Sequence, residues 1–91
     1  MKARARHILV ADEDACNALK TKITDGADFA DLAKEHSTCP SGKQGGDLGE
    51  FGPGQMVREF DDVVFNADLG TVQGPVKTQF GYHLLEVLER G

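Results

Sequence analysis

Residues 3–11 have the sequence ARARHILVA, in which two kinds of side chain alternate, and the rest of the fold can be worked out around this stretch. Successive side chains of a β-strand point to opposite faces, so a period of two predicts a strand here. One face would carry Ala3, Ala5, His7 and Leu9, and the other would carry Arg4, Arg6, Ile8 and Val10. A histidine in the middle of an apolar face must find a polar partner, which makes His7 a candidate functional residue.

Two helices are predicted to follow this strand. Asp12 can cap a helix that stops near Gly26, and Asp28 can cap a shorter second helix. Apolar residues recur at helical spacing in both segments, namely Ala15, Ala18, Leu19 and Ile23 in the first and Phe29, Leu32 and Ala33 in the second. Cys16 lies on the first of these helices, where we expect it to be buried.

The second half of the chain begins with a glycine-rich segment, residues 37–54, which predicts a structured loop with one short strand at 48–51. Met56, Phe60, Val63 and Val64 then have helical spacing, and Gly70 would end that helix. Two strands complete the chain, at Val72–Thr78 and at 82–89, joined by a tight turn at 79–81.

The resulting order of elements, β-α-α-loop-β-α-β-β, predicts an α+β fold with a small, mainly antiparallel sheet covered by helices. With 91 residues the chain holds one core, so we expect a single domain over residues 1–91. The net charge of −5 argues against nucleic acid as a partner, because nucleic-acid binding needs clustered Lys and Arg.

The sequence has no apolar stretch long enough for a membrane span and no pattern typical of a signal peptide. Its two cysteines, Cys16 and Cys39, are too few for a disulfide framework. We therefore expect a cytoplasmic monomer with both cysteines as free thiols, and we expect no membrane partner.

The polar candidates for chemistry are His7, His83 and Cys39. If the first and last strands are neighbours, the two imidazoles can meet, either only to tie the strands together or as part of a site. Cys39 precedes Pro40 in a loop and could face a cleft. A thiol protease using Cys39 and His83 is disfavoured by the short chain, and zinc held by Cys39, His7 and His83 is disfavoured by the lack of prearranged ligand pairs.

An apolar set accompanies these polar residues, and some of its members lie in or beside glycine-rich loops. Its members are Leu48, Phe51, Met56, Phe60 and Phe80. Methionine and phenylalanine at helical spacing are usually core residues. Residue pattern alone leaves open whether this set and the Cys/His group surround one pocket.

Four segments, taken in order and spacing, make the chain resemble the parvulin family of peptidyl-prolyl cis/trans isomerases, and among them the small PpiC type. They are residues 5–9 (ARHIL), 41–49 (SGKQGGDLG), 54–60 (GQMVREF) and 74–83 (GPVKTQFGYH). The resemblance implies a four-stranded sheet wrapped by helices, an FKBP-like superfold, with the active site on the concave side of the sheet.

The resemblance also implies roles for individual residues. Leu48, Met56 and Phe60 would hold the proline ring. From the same apolar set, we expect Phe51 and Phe80 as further substrate contacts. His7, His83 and Cys39 would line the place where the peptide bond turns, and Thr78 would hydrogen-bond within that network. We expect catalysis without a covalent adduct on Cys39, because the reaction exchanges two isomers of one amide.

The expected partners are proline-containing polypeptides, and no cofactor or metal is implied. Phosphate-directed relatives carry a basic loop after the first strand, whereas this chain has the acidic run Asp12-Glu13-Asp14, so we expect no phosphate dependence. The family often has Pro where Arg58 stands, and Arg58 loses only a preset backbone angle. The alternative function is a non-catalytic chaperone module, which would need the groove but not the Cys/His set.

Overall fold

A computed structural model describes residues 2–90 of the chain. Its elements in order are β1 (Ala3–Val10), α1 (Glu13–Thr24), α2 (Phe29–His36), a short 3₁₀ helix (Pro40–Gln44), β2 (Asp47–Phe51), α3 (Arg58–Val64), β3 (Val72–Thr78) and β4 (Gly81–Arg90). The α+β class and the four-stranded sheet predicted from sequence are confirmed. Among residues 2–90, no helix has both the length and the apolar character needed to cross a bilayer.

The sheet has the strand order β2-β1-β4-β3, and every neighbouring pair is antiparallel. The first and last strands of the chain are therefore the two central strands. Leu9 lies opposite His83 and His7 lies opposite Leu85 in this pairing. Because alternate side chains share a face, His7 and His83 are diagonal neighbours on the same side of the sheet.

Each face of the sheet is covered by different helices. Helices α1 and α2 cover the face that carries Ile8, Val10 and Leu84, and α3 covers the opposite face with Leu85 and Val87. Four of these residues are fully buried, and each buried aliphatic side chain of this size contributes about 1.5–3 kcal/mol to folding. Most of the apolar residues at helical spacing in α1 and α2 thus supply one core, whereas Ala18 is exposed, and α3 supplies the second core.

The predicted helix caps are present. The Asp12 side chain accepts a hydrogen bond from the Asp14 N–H at 3.1 Å, and the Asp28 side chain accepts one from the Asp31 N–H at 3.0 Å. Each aspartate satisfies one of the amide groups that the first turn of a helix leaves without an intrahelical partner. These caps explain why the two helices begin at Glu13 and Phe29.

The third helix is shorter than its apolar spacing predicted. Val57 has an extended backbone, with ψ of 152°, so the helix begins at Arg58 and Met56 lies in the loop before it. The helix ends at Val64, and Gly70 belongs to a separate turn whose N–H donates to the Val87 carbonyl at 2.8 Å. Helical spacing of apolar residues arises here because a loop and a helix pack against the same core.

Candidate active site

A cavity of about 380 Å³ lies on the α3 side of the two central strands. Its apolar wall is formed by Leu9, Leu48, Met56, Val57, Phe60 and Phe80, and the remaining lining residues are His7, Thr38, Cys39, Pro40 and His83. The apolar wall and the Cys/His group therefore surround one pocket, which the sequence left open. A site of this volume and lining is typical of a small-ligand or peptide-binding pocket.

The two histidines contact each other across the central strand pair. Their Nδ1 atoms are 3.1 Å apart, and the rings are nearly parallel with centroids 5.3 Å apart. Only 4% of His7 and 3% of His83 is exposed. The contact joins two identical atom types, so one ring must donate a proton at Nδ1 while the other accepts.

Phe60 packs its ring against both members of this histidine pair. Its ring lies nearly perpendicular to both imidazoles, with centroid distances of 5.4 Å to His7 and 4.6 Å to His83. The side chain extends from α3, is 4% exposed and lines the cavity. Phe60 therefore contacts both histidines and also lines the cavity that a ligand would enter.

Hydrogen bonds extend from the histidine pair in both directions. On one side, His83 Nε2 lies 2.7 Å from Thr78 Oγ1, which also accepts the Phe80 N–H at 3.2 Å. On the other side, His7 Nε2 lies 2.9 Å from Ser41 Oγ, and that hydroxyl donates to Cys39 Sγ at 3.3 Å. The polar side of the pocket is a single connected network.

Burial keeps both imidazoles uncharged. Burial, and to a smaller extent the neighbouring His83, together lower the pKa of His7 from 6.5 to about 4. Burial likewise lowers the pKa of His83 from 6.5 to about 4. At neutral pH the pocket therefore presents two neutral rings and no net charge from this pair.

The glycine-rich loop brings Ser41 and Cys39 to the histidines by packing directly on β1. The His7 N–H donates to the Gly46 carbonyl at 2.9 Å. Gly46 has φ of +83°, and a Cβ built on it would clash with the His7 carbonyl oxygen. Only glycine allows both this backbone angle and this approach, so Gly46 fixes the loop against the strand that carries His7.

Most of the predicted site residues lie together in the structure. His7, Cys39 and His83 line the cavity and Thr78 bonds to His83, while Leu48, Met56, Phe60 and Phe80 line its apolar wall. Phe51 does not belong to this group, because it is 3% exposed and packs in the core with its ring 6.3 Å from that of Phe65. The structure therefore places Phe51 in the core and outside the cavity wall, away from the substrate contact predicted for it.

The structure also adds residues that the sequence analysis did not select. Ser41 links His7 to Cys39, and Leu9, Thr38, Pro40 and Val57 line the cavity. The Cys39 sulfur accepts its hydrogen bond from Ser41 and not from a histidine. A thiol protease needs a cysteine paired with a histidine, so this arrangement differs from such an enzyme. Among residues 2–90, no three His, Cys, Asp or Glu side chains are arranged to hold a metal ion.

Comparison with known proteins gives a consistent match over the whole chain. A profile of the PpiC-type PPIase domain matches residues 2–91. The foldase protein PrsA of Geobacillus sp. (strain WCH70) is 51% identical over 90 residues, covering 98% of this chain and 33% of PrsA. PrsA of Bacillus subtilis (strain 168) is 47% identical over 89 residues, covering 97% and 30%. The chain thus spans about a third of the length of these curated relatives.

Solved structures agree with the sequence matches. The peptidylprolyl isomerase PrsA from Bacillus anthracis superposes with a TM-score of 0.96 at 36% identity, covering 99% of this chain and 42% of that one. NmPin, the parvulin of Nitrosopumilus maritimus, superposes with a TM-score of 0.87 at 38% identity. That comparison covers 97% of this chain and 96% of NmPin.

Proposed function

This chain belongs to the parvulin family as a PpiC-type peptidyl-prolyl cis/trans isomerase domain, and from that premise we propose how its site turns an X-Pro bond. The supporting observation is the apolar cavity in which Phe60 meets a neutral histidine pair edge-on. The substrates are X-Pro bonds in unfolded or flexible polypeptides.

Rotation about an X-Pro bond has to overcome the resonance of the amide, a barrier of about 18–20 kcal/mol. No covalent bond has to break. The planar amide is more dipolar than the twisted one, so surroundings of low polarity destabilise the planar ground state relative to the transition state. Each 1.36 kcal/mol of such a difference gives about tenfold in rate.

The apolar wall serves as the proline pocket. Leu48, Met56 and Phe60 face the cavity from three different elements, β2, the following loop and α3. Their packing around the proline ring would exclude water from one side of the amide while the preceding residue stays free to rotate. Rigid placement of the ring also removes rotational freedom that would otherwise oppose the reaction.

The polar network sets the environment of the amide itself. Two neutral imidazoles place no charge beside the carbonyl, which keeps the local polarity low. The nitrogen of a twisted amide becomes pyramidal and can accept a hydrogen bond that the planar amide cannot accept. A donor on this side of the pocket would stabilise only the transition state.

Cys39 acts without forming an adduct in this mechanism. Its sulfur accepts a hydrogen bond from Ser41, and the isomerisation needs no nucleophile. Cys39→Ser and Cys39→Ala should each retain activity above the uncatalysed rate, with losses of about fivefold to thirtyfold, or roughly 1–2 kcal/mol. Intact-mass spectrometry of the parent enzyme with substrate should detect no adduct, and a trapped covalent adduct of substrate on Cys39 would contradict this.

Phosphate independence is also part of the proposal, because the residues after β1 are acidic. Asp12 caps α1 and is followed by Glu13 and Asp14, all three exposed. A phosphoserine-proline peptide should therefore be isomerised no faster than its unphosphorylated form. A strong preference for the phosphopeptide would overturn this part of the proposal.

The central test measures kcat/KM on an X-Pro tetrapeptide in a proline-isomer assay. Met56→Ala should reduce kcat/KM about tenfold or more, because it removes one side of the pocket. Leu69→Ala is the matched control, since Leu69 is an exposed apolar residue outside the cavity wall, with 49% of it accessible. Equal rates for parent, Met56→Ala and Leu69→Ala, with all three folded, would reject the assigned pocket.

A second candidate function is chaperone-like holding of extended chains, which the name foldase of the PrsA relatives favours. It would use the cavity without the Cys/His network. Refolding of a client protein should then be unaffected by His83→Gln, whereas the isomerase proposal expects refolding to slow with that change. A cytoplasmic location and a monomeric state stay predictions from the sequence.

A further inference from the structure

The hydrogen bonds around the histidine pair form one unbroken chain along the polar side of the cavity. From one end to the other it joins the Phe80 N–H, Thr78 Oγ1, His83 Nε2 and Nδ1, His7 Nδ1 and Nε2, Ser41 Oγ and Cys39 Sγ, with contacts of 3.2, 2.7, 3.1, 2.9 and 3.3 Å. Each neutral imidazole carries one proton, so one of its nitrogens donates and the other accepts. A ring that accepts a hydrogen bond at one nitrogen therefore donates at the other. Fixing the direction at any contact therefore fixes it along the whole chain.

The Thr78 end fixes that direction. A backbone N–H can only donate, so Thr78 Oγ1 accepts from Phe80. Within residues 2–90, the only other contact of this hydroxyl is His83 Nε2, so its hydrogen must point there. The opposite direction would leave the hydroxyl hydrogen of Thr78, a residue only 7% exposed, without an acceptor.

The proton positions along the rest of the chain follow from this end. His83 accepts at Nε2, so its own proton is on Nδ1 and is donated to His7 Nδ1. His7 then carries its proton on Nε2 and donates it to Ser41 Oγ. The Ser41 hydroxyl donates in turn to Cys39 Sγ. The Cys39 sulfur is thus an acceptor, and residues 2–90 offer its S–H no acceptor, so the S–H can point into the cavity that Cys39 lines.

We propose that Ser41 is a positioning residue, because its hydroxyl accepts from His7 and donates to the Cys39 sulfur. This bond orients the Cys39 S–H as a donor toward the amide of the bound X-Pro segment. The proposal deepens the isomerase function described above and rests on it. Without Ser41, His7 Nε2 would lose its acceptor, and the thiol would no longer be oriented by an internal donor. Ser41 touches no substrate in this account and acts through Cys39.

Nuclear magnetic resonance of the ¹⁵N-labelled imidazoles tests the direction in the parent enzyme. The expected tautomers are Nδ1–H for His83 and Nε2–H for His7. The reverse pair of tautomers would overturn the proposal. This measurement needs neither substrate nor a variant, so it stands even if the chain fails to isomerise X-Pro peptides, a failure that would instead reject the proposed function.

Variants of Ser41 test its role. Ser41→Ala should lower kcat about tenfold with KM changed less than threefold, and should convert His7 to a mixture of tautomers. Ser41→Thr, which keeps the hydroxyl, should stay within about threefold of the parent rate. Thr21→Ala removes an exposed hydroxyl that donates to the Asn17 carbonyl on α1, far from this network in the chain, and serves as the matched control. An unchanged rate in folded Ser41→Ala, or equal losses in Ser41→Ala and Ser41→Thr, would overturn the role.

A double-variant comparison separates action through Cys39 from a general effect on the loop. If Ser41 works through Cys39, the variant carrying both Ser41→Ala and Cys39→Ala should be no slower than the slower single variant. Losses that multiply independently would overturn the proposed coupling.

Discussion

Acidification should leave the isomerase rate nearly constant down to about pH 5 and halve it only near pH 4, because burial lowers the pKa of both His7 and His83 to about 4. With such a pKa, about one imidazole in a hundred is protonated at pH 6. At the ordinary pKa of 6.5, about three in four would be protonated at the same pH. The expected midpoint therefore differs from that of an ordinary histidine by more than two pH units.

The same shift makes the fold less stable in acid. Both folded pKa values lie below the unfolded value of 6.5, so the unfolded chain binds more protons between about pH 6.5 and pH 4. The free energy of unfolding should therefore be full above this window, fall as the pH drops through it, and level off below it. At 1.36 kcal/mol per pKa unit, the loss amounts to about 3 kcal/mol for each ring and so to roughly 7 kcal/mol for the pair.

The assay must separate these two effects. Exchange nuclear magnetic resonance on an X-Pro peptide gives kcat/KM from pH 4 to 8 without a coupling protease, and urea unfolding at each pH gives the stability. Imidazole chemical shifts report protonation directly. A rate that halves near pH 6.5, in protein that urea unfolding shows to be folded, with imidazole shifts moving in the same range, would refute a neutral buried pair.

Three further changes test other parts of the structure. Phe60→Ala should cost about 3–5 kcal/mol of stability and, where the protein stays folded, most of the activity. Phe60→Leu keeps more of the core, so a parent-level rate in folded Phe60→Leu would contradict the role of the aromatic ring. Gly46→Ala should detach the loop from β1 and lower both the melting temperature and kcat/KM, because the added Cβ would clash with the His7 carbonyl. An unchanged melting temperature would show that the backbone at Gly46 is not so constrained. Arg90→Met should lower the free energy of unfolding by about 1–2 kcal/mol, since Arg90 donates to the Val64 carbonyl at the end of α3. Arg90 lies outside the cavity wall, so kcat/KM should stay within twofold of the parent value. A loss of kcat/KM beyond twofold in the folded variant would contradict a purely structural role.

The sequence carried most of the information on the sheet and the histidine pair. The alternation of residues 3–10 predicted β1 and its faces, and the apolar faces holding His7 and His83 predicted that the rings could meet. These inferences succeeded because the period of two is imposed locally by strand geometry. The capping aspartates succeeded for the same reason, since each acts within three residues of itself.

The failures concern residues whose environment is set by distant parts of the chain. Met56 has the spacing of a helical residue but lies in a loop, and Phe51 stands beside the glycine-rich loop but packs in the core. Ser41 resembles any loop serine until the loop is folded against β1, which brings its hydroxyl 2.9 Å from His7 Nε2. Tertiary packing decided each of these cases, and no local pattern encodes it.

The central position of β1 and β4 also governs when the enzyme can exist during its own synthesis. The histidines that meet at 3.1 Å come from the first and the last strands, Ala3–Val10 and Gly81–Arg90. A ribosome that has not yet released the final strand holds a chain in which β1 has no central partner and the histidine pair has only one member. Bringing such distant segments together requires closing nearly the whole chain into a loop before any contact compensates for the lost entropy. The domain must therefore complete its own fold before His7 and His83 can meet.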